Sequence, residues 1–388
     1  MGNLPIFFEI AASQINKYGE ELCGDSIIHT SGSTGSTVIL SDGLGSGVKA
    51  NILSTLTSQI ISIMLKKGCE LRDVVETLIE TLPECSYRKL AYSTFSIGHF
   101  FPDGMVHLVE YENPPTIVLK KNNLYPVQYS TNRIADKNVN EALLQAEIGD
   151  YYIFMSDGEV HAGIGGIWNL GWSWERIAEF VERLIKTSIT ANDLASELVN
   201  IADQLYASKP GDDTSVVVVR VRAKQSVKVM IGAPANKALD SRVVKRLMAG
   251  DTKKIVCGGS TSNIVGRELK KEVQVIIESI KPGLPPIGKI EGIDLVTEGI
   301  ITISQLLKIL NEKKSISSFE LEHRDDGVSL LMKELLAADE ITMLVGQAIN
   351  PAHQNPGIPQ EFGLKTKITE DIARTLNKMN KEVILEYY

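Results

Sequence analysis

A chain of 388 residues exceeds what one ordinary core supports, so two domains are expected. Apolar residues at 43% and charged residues at 23% mark a globular protein, and a net charge of −8 argues against nucleic acid, which demands concentrated Lys and Arg. No basic leader with an apolar core opens the chain, no run reads as a bilayer span, and Cys23, Cys69, Cys85 and Cys257 are scattered, so a cytoplasmic protein with no membrane partner and reduced thiols is expected.

Phe7 to Ser13 reads as a first strand and Asn16 to Gly19 as a polar turn. Gly24-Asp25 leads into a strand over Ser26 to Thr30, a Ser/Gly/Thr loop reverses the chain, and Thr37 to Ser41 returns. In an antiparallel hairpin the start of one strand lies beside the end of the next, which brings Asp25 and Asp42 to one sheet edge. Ser41-Asp42-Gly43-Leu44-Gly45-Ser46-Gly47 then turns into a helix from about Val48 to Lys67. Its Ile52, Leu53, Leu56, Ile60, Ile61 and Met64 recur at the spacing of one buried face, and Gly68 stops it. Ser54, Thr57, Ser58 and Ser62 read as its solvated face, or as small residues able to slide against a neighbour.

A second amphipathic helix is expected over Leu71 to Leu82, with Val74, Val75, Leu78 and Ile79 inward. Strands follow at Ser93 to His99, Met105 to Glu110, Thr116 to Leu119 and Asp150 to Met155, the last ending in Ser156-Asp157-Gly158. Helices over Trp174 to Thr187 and Ala191 to Tyr206 precede Lys209-Pro210-Gly211-Asp212-Asp213 and a strand over Ser215 to Arg222. If the strands flanking Asp157 and Asp212 pair antiparallel, these carboxylates also meet at one edge. Two strand sets, each followed by a helix pair, predict an α+β four-layer αββα sandwich over residues 1–222.

Beyond Ala223-Lys224-Gln225 the order alternates. Strands at Val227 to Ile231, Lys254 to Cys257, Val273 to Ile277 and Ile341 to Val345 interleave with helices at Ser241 to Met248, Ser262 to Leu269, Thr302 to Asn311, Val328 to Ala337 and Glu370 to Met379. Residues 223–388 are therefore expected to form an α/β domain with a mostly parallel sheet, regulatory or targeting, open to a ligand or protein of unknown identity. Lys281 to Ile293, rich in Pro and Gly, reads as a loop.

Four carboxylates at one end of a sandwich repel one another unless a cation neutralises them. Oxygen-only donors favour a hard ion, Mg²⁺ or Mn²⁺, and carboxylates arriving from two sheets suit two ions about 3.5–4 Å apart. Phosphate ester hydrolysis by a metal-activated water is the chemistry such a site serves, without a Ser, Cys or His nucleophile.

Gly24-Asp25, Ser41-Asp42-Gly43-Leu44-Gly45-Ser46-Gly47, Ser156-Asp157-Gly158 and Gly211-Asp212-Asp213 resemble, in order and spacing, the motifs of the metal-dependent protein phosphatase (type 2C) family. The resemblance covers about residues 7–222 and is strongest to the bacterial branch typified by the stage II sporulation protein E phosphatase. It implies that Asp42 bridges two divalent cations, with Asp25 and the Gly43 carbonyl at one and Asp157 and Asp212 at the other, Asp42 and Asp25 being the catalytic pair. It implies hydrolysis of phosphoserine or phosphothreonine in a phosphoprotein substrate, in signal transduction. Two departures stand out. Ser215 replaces a frequent Thr, and Glu112-Asn113-Pro114-Pro115 replaces a Gly-His before the Pro pair; no N-terminal Arg is assignable to the substrate phosphate.

Blander readings stand beside these. Each Asp-Gly is by itself a turn signal, Asp213 is either a ligand's neighbour or a solvated turn residue, and His161 is either a general acid or a surface histidine. Gly163, Gly165 and Gly166 with Trp168 and Trp172 read as a flap or as a packed helix lead-in. Cys257-Gly258-Gly259-Ser260-Thr261-Ser262 reads as an anion-holding turn or as tight packing, and Glu291, Asp294 and Glu298 as a solvated helix start. A binding module of the same fold with little turnover, and a small-molecule phosphatase, are the competing functions.

Overall fold

The computed structural model describes residues 5–32, 35–81, 93–134, 137–165, 169–276, 286–311, 324–348, 361–379 and 381–388. The chain divides into two compact units, Met1–Ala223 and Lys224–Tyr388. The first unit is α+β with two antiparallel sheets. Its elements in order are β1 (Ile6–Ile15), β2 (Asp25–Gly32), β3 (Gly35–Gly43), α1 (Gly47–Lys66), α2 (Leu71–Thr81), β4 (Ser93–Phe100), β5 (Met105–Tyr111), β6 (Ile117–Lys120) and β7 (Asn123–Leu124). There follow β8 (Ser130–Ile134), β9 (Lys137–Gln145), β10 (Tyr151–Met155), the single turn α3 (Asp157–Val160), α4 (Trp174–Leu184), α5 (Ala191–Leu205) and β11 (Thr214–Ala223). One sheet runs β1-β11-β10-β6-β7 and the other β2-β3-β4-β5-β9-β8.

Alternation along the strands sends successive side chains to opposite faces. Val38 and Leu40 of β3 join Phe100, Leu108, Tyr152, Phe154, Val217 and Val219 in a cluster drawn from both sheets. Ile39 between them joins Phe95 and Ile97 under Ile61 of α1 and Val74, Val75 and Leu78 of α2. On the first sheet, Ile153, Met155, Val216 and Val218 meet Ile177 and Val181 of α4 and Leu194 and Leu198 of α5. The side chain of Ile79 and residues Cys85 and Trp168 lie outside the described residues.

The orientation of α1 departs from the expectation in its first half, while Ile61 is buried and Ile60 and Met64 pack on the core as expected. Its buried residues are Gly47, Ala50, Ser54, Thr57, Ser58, Ile61 and Ser62, whereas Ile52 and Leu56 are exposed, as are Val48 and Ile63. The cause is close approach. A Cβ on Gly43 would stand 2.1 Å from the Ala50 carbonyl oxygen, and Ser58 Oγ lies 2.7 Å from Ser26 Oγ of β2. Only small side chains fit between backbones that near, and their hydroxyls find partners there, Thr57 donating to Leu53 O. By length and composition α1 also passes for a membrane span, a test that core helices pass too, and its inner face is taken up by β2 and β3.

The second unit comprises β12 (Ser226–Ile231), α6 (Asp240–Met248), β13 (Lys253–Cys257), α7 (Gly259–Leu269), β14 (Gln274–Val275), β15 (Gly288–Lys289), β16 (Leu295–Thr297), α8 (Ile300–Asn311), α9 (Gly327–Ala337), β17 (Glu340–Val345), α10 (Glu361–Lys378) and β18 (Glu382–Tyr387). The sheet order is β14-β15-β16-β13-β12-β17-β18. β12 pairs parallel with β13 and β17, β13 with β16, and β17 with β18, while β15 pairs antiparallel with β14 and β16. One face packs on α6 and α7 through Val243, Val244, Leu247 and Val265; the other meets α8, α9 and α10 through Ile303, Leu306, Val328, Leu331 and Ile372.

The supposed acidic helix start is dispersed. Glu291 pairs with Lys271 at 2.5 Å, Asp294 accepts the Lys254 N–H, and Glu298 accepts the Ile301 N–H at the start of α8. The expected loop over Lys281 to Ile293 contains β15 in its described part, and the last helix begins at Glu361 rather than Glu370.

Candidate metal centre

The β2–β3 hairpin sets Asp25 directly opposite Asp42 in its register. The β10–β11 pair, Met155 opposite Val216, places Asp157 just past one strand and Asp212-Asp213 just before the other. Asp25 is 3% exposed, and among the described residues neither of its carboxylate oxygens has a hydrogen-bond partner. Burial, set against the flanking hydroxyls of Ser215 and Ser156 and reinforced by Asp213 and Asp157, pushes Asp25 up to about 7. Asp42 is pushed up to about 9, first by burial and then by repulsion from Asp25, Asp157, Asp212 and Asp213. Asp212 is raised by burial and by Asp157, against the pull of Lys17, whose Nζ stands 3.7 Å from Asp212 Oδ1. Each carboxylate is thus felt by the others, and a free carboxylate in such a place calls for a cation.

Backbone supplies the rest. Gly43 N donates to Gly24 O at 3.2 Å, and Ser93 Oγ donates to the Asp42 carbonyl at 2.9 Å. A Cβ on Gly24 would stand 2.7 Å from Asp213 Oδ2, and one on Gly158 2.1 Å from the Asp213 carbonyl oxygen. Glycine at these positions lets the three motif loops close on one another. The donor set is oxygen-only with orphaned carboxylates, which fits a hard divalent ion. Among the described residues no three His, Cys, Asp or Glu side chains are grouped closely enough to hold a metal ion.

Three residues were undervalued by sequence reasoning. Asp213 is buried, its Oδ1 accepting the Lys17 N–H at 3.0 Å and its Oδ2 unpartnered, so it is no solvated turn residue. Lys17 approaches from the β1–β2 connection, with no local signal in its own sequence. Glu159 is completely buried with both oxygens unpartnered, and burial pushes it up to about 8. His161, with its Nδ1 3.9 Å from Asp157 Oδ2, is half exposed. Trp172 packs on Phe180 as a helix lead-in would, and residues 166–168 of the supposed flap lie outside the described residues.

The family model described as Stage II sporulation protein E (SpoIIE) matches residues 32–222. Among solved structures, the SpoIIE phosphatase domain from Bacillus subtilis is similar at 22% identity, over 57% of this chain and 95% of that one, with a TM-score of 0.43. The RsbU and RsbW domains of a Mycobacterium tuberculosis protein are similar at 15% identity, over 63% of this chain and 68% of that one, with a TM-score of 0.49. RsbX, solved in complex with magnesium, is similar at 17% identity, over 57% and 98%, with a TM-score of 0.41. No curated protein matches the chain. Residues 32–222, which carry these motifs in this order on two antiparallel sheets, thus match the SpoIIE family model, and the first unit is similar to SpoIIE-type phosphatase domains.

Proposed function

We propose that the first unit, as a four-layer αββα domain, hydrolyses phosphoserine or phosphothreonine in a protein substrate at a site holding two divalent cations, Mn²⁺ or Mg²⁺. The observation that carries this reading is the opposition of Asp25 and Asp42 in register, with both Asp25 oxygens unpartnered. Asp42, repelled by Asp25 on one side and by Asp157 and Asp212 on the other, is the carboxylate common to both pairs and the candidate bridge. Asp25 and the Gly43 carbonyl would serve one ion, Asp157 and Asp212 the other. When bound, such ions lower the pKa of water and take up charge on phosphate oxygens. The protein's own part is to hold the carboxylates in place, and the close-packed Gly24, Gly43 and Gly158 fix the loops that carry them. The three apolar clusters of this unit support the four-layer arrangement.

The test is removal and return of metal. Full-length protein treated with chelator should lose hydrolysis of an aryl phosphate and of phosphopeptides, and regain it with Mn²⁺ or Mg²⁺. Activity that survives exhaustive chelation ends the proposal. A weakly catalytic binding module is the second reading, favoured by Lys17 beside Asp212, which competes with a cation for that carboxylate. Fewer than two Mn²⁺ per chain by calorimetry, with no turnover, would establish it instead. We assign residues 224–388 a regulatory or targeting role in the cytoplasm. Their deletion should shift the Mn²⁺ activation curve if they regulate and leave it unchanged if they only target.

A further inference from the structure

The second sheet ends in a row of glycines. Ile231 lies beside Cys257 on one side and Val345 on the other, and Cys257 lies beside Thr297. Gly232, Gly258 and Gly346 follow immediately, and Gly299 follows Thr297 by two residues. In chain order the parallel strands β12, β13, β16, β17 and β18 lie in the sheet as β16-β13-β12-β17-β18, so the winding reverses at β12. The connection after β12 leads to α6 on one face, and the connection after β17 leads to α10 on the other. In sheets of this kind ligands bind outside the carboxyl ends of the strands; the ends of β12 and β17 stay joined, Gly346 N donating to Ile231 O and Ala348 N to Ala233 O, which leaves the side toward β13.

The groups at this end of the sheet are donors. Lys365 of α10 lies over the end of β12, its Nζ 2.5 Å from where a Cβ on Gly232 would stand. Among the described residues its ammonium has no ion pair or hydrogen bond, and burial lowers its pKa with no carboxylate in opposition. One strand over, about 5 Å away at ordinary strand spacing, Gly258 (φ +118°) begins α7 with no side-chain cap. Among the described residues nothing stands within 4 Å of a Cβ on Gly259, and Gly259 and Ser260 are exposed at the start of the helix. Thr261 is fully buried and its Oγ1 has no partner; it lies 2.9 Å from the Cβ position of Gly258 and so faces this loop. The neighbouring α8 differs, since Glu298 occupies its first turn by accepting the Ile301 N–H.

An unpaired cation, an uncapped and exposed helix start and an orphaned hydroxyl share one requirement, an acceptor-rich anion. We propose that the carboxyl ends of β12 and β13 bind a small phosphorylated molecule, its phosphate held by Lys365, the first turn of α7 and Thr261. Thr261 is fully buried, so it can meet only a ligand's terminal oxygen set into the first turn of α7. The Gly258-Gly259-Ser260 turn follows the second parallel strand and lacks the third glycine of a dinucleotide fingerprint, which favours a monophosphate. Nucleoside and sugar monophosphates share this chemistry. The site rests on the second unit alone and is independent of the phosphatase reading.

Calorimetry on the full chain in excess chelator, which silences metal-held phosphate, tests this with inorganic phosphate, a nucleoside monophosphate and a hexose phosphate. One saturable site is expected, and the tighter of the two monoesters names the source. Lys365→Met should weaken binding roughly tenfold to a hundredfold. Thr261→Val should raise Tm, since it removes an orphaned buried hydroxyl, and yet weaken binding; Gly259→Ala should set a methyl in the exposed turn and weaken it without loss of fold. Asp42→Asn should leave it unchanged. Failure of all three phosphates to bind overturns the proposal, as does parental affinity in Lys365→Met and Thr261→Val. A phosphopeptide that binds where the small compounds do not overturns the ligand class.

Discussion

Two sheet edges in this chain present opposite chemistry, and the difference follows from strand direction. In the first unit antiparallel pairing lays strand ends side by side, so Asp25 and Asp42 stand directly opposite and Asp157 and Asp212 approach from a second antiparallel pair. Side chains converge, and the edge becomes a place for cations. In the second unit parallel strands all end together and each is followed by a turn into a helix, so glycines and helix first turns converge instead. Main-chain donors and one lysine dominate there. Antiparallel edges gather side-chain charge, whereas parallel edges gather backbone dipoles.

The largest expected effect breaks the carboxylate edge. Asp42→Asn should lower turnover about 10³-fold or more at saturating Mn²⁺, with the fold retained, because it removes a charge that its neighbours already disfavour. Circular dichroism and aryl phosphate hydrolysis together decide it, and near-parental turnover would remove Asp42 from the site. Asp25→Asn, Asp157→Asn and Asp212→Asn should follow the same pattern. Next comes the packing beneath that edge. Gly43→Ala should cost about 1–3 kcal/mol or more in urea unfolding, because its methyl would meet the Ala50 carbonyl oxygen at 2.1 Å.

A smaller effect converts one edge toward the other. Gly259→Asp should supply the first turn of α7 with its own carboxylate, raising stability by about 0.3–1 kcal/mol while abolishing phosphate binding. A stability loss would show that the start of α7 does not accommodate the side chain. The smallest effect lies away from both edges. Glu110 is 3% exposed and accepts from Thr116 N at 2.7 Å and Tyr129 Oη at 2.8 Å, and burial raises its pKa above the usual carboxylate value. A carboxyl raised in the folded state binds its proton more tightly there, so its stabilisation is full in acid and fades as pH rises through the raised value. Glu110→Gln, which keeps the acceptor, should match the parent Tm near pH 4 and exceed it near pH 8. Parallel Tm profiles would contradict this.

The pairing of Asp25 with Asp42 was legible because a hairpin leaves its register little freedom. The strand-helix alternation after residue 223 was legible for a similar reason, being set by apolar runs. What sequence hid has a physical cause in each case. The β8–β9 hairpin was missed because Ser130–Ile134 and Lys137–Gln145 are largely polar and held by sheet hydrogen bonds. Asp213 and Lys17 owe their place to a contact spanning 196 residues, which no local pattern announces. Lys365 reads as one more polar residue on an amphipathic helix until the strand that ends beneath it is known. The first half of α1 was misread because hydrophobic spacing identifies an apolar stripe, and there Ala50, Ser54 and Ser58 are buried while Ile52 and Leu56 are exposed.

That inversion bears on how sequences of this fold diverge. Where α1 crosses Gly43, backbone meets backbone, so positions 43, 50, 54 and 58 are limited by volume, and drift there is confined to glycine, alanine and serine. Val48, Ile52, Leu56 and Ile63, free of the sheet, can vary in size without disturbing the carboxylate loop. In an alignment of descendants the polar-looking positions should be the frozen ones and the greasy positions the changeable ones, the reverse of an ordinary amphipathic helix.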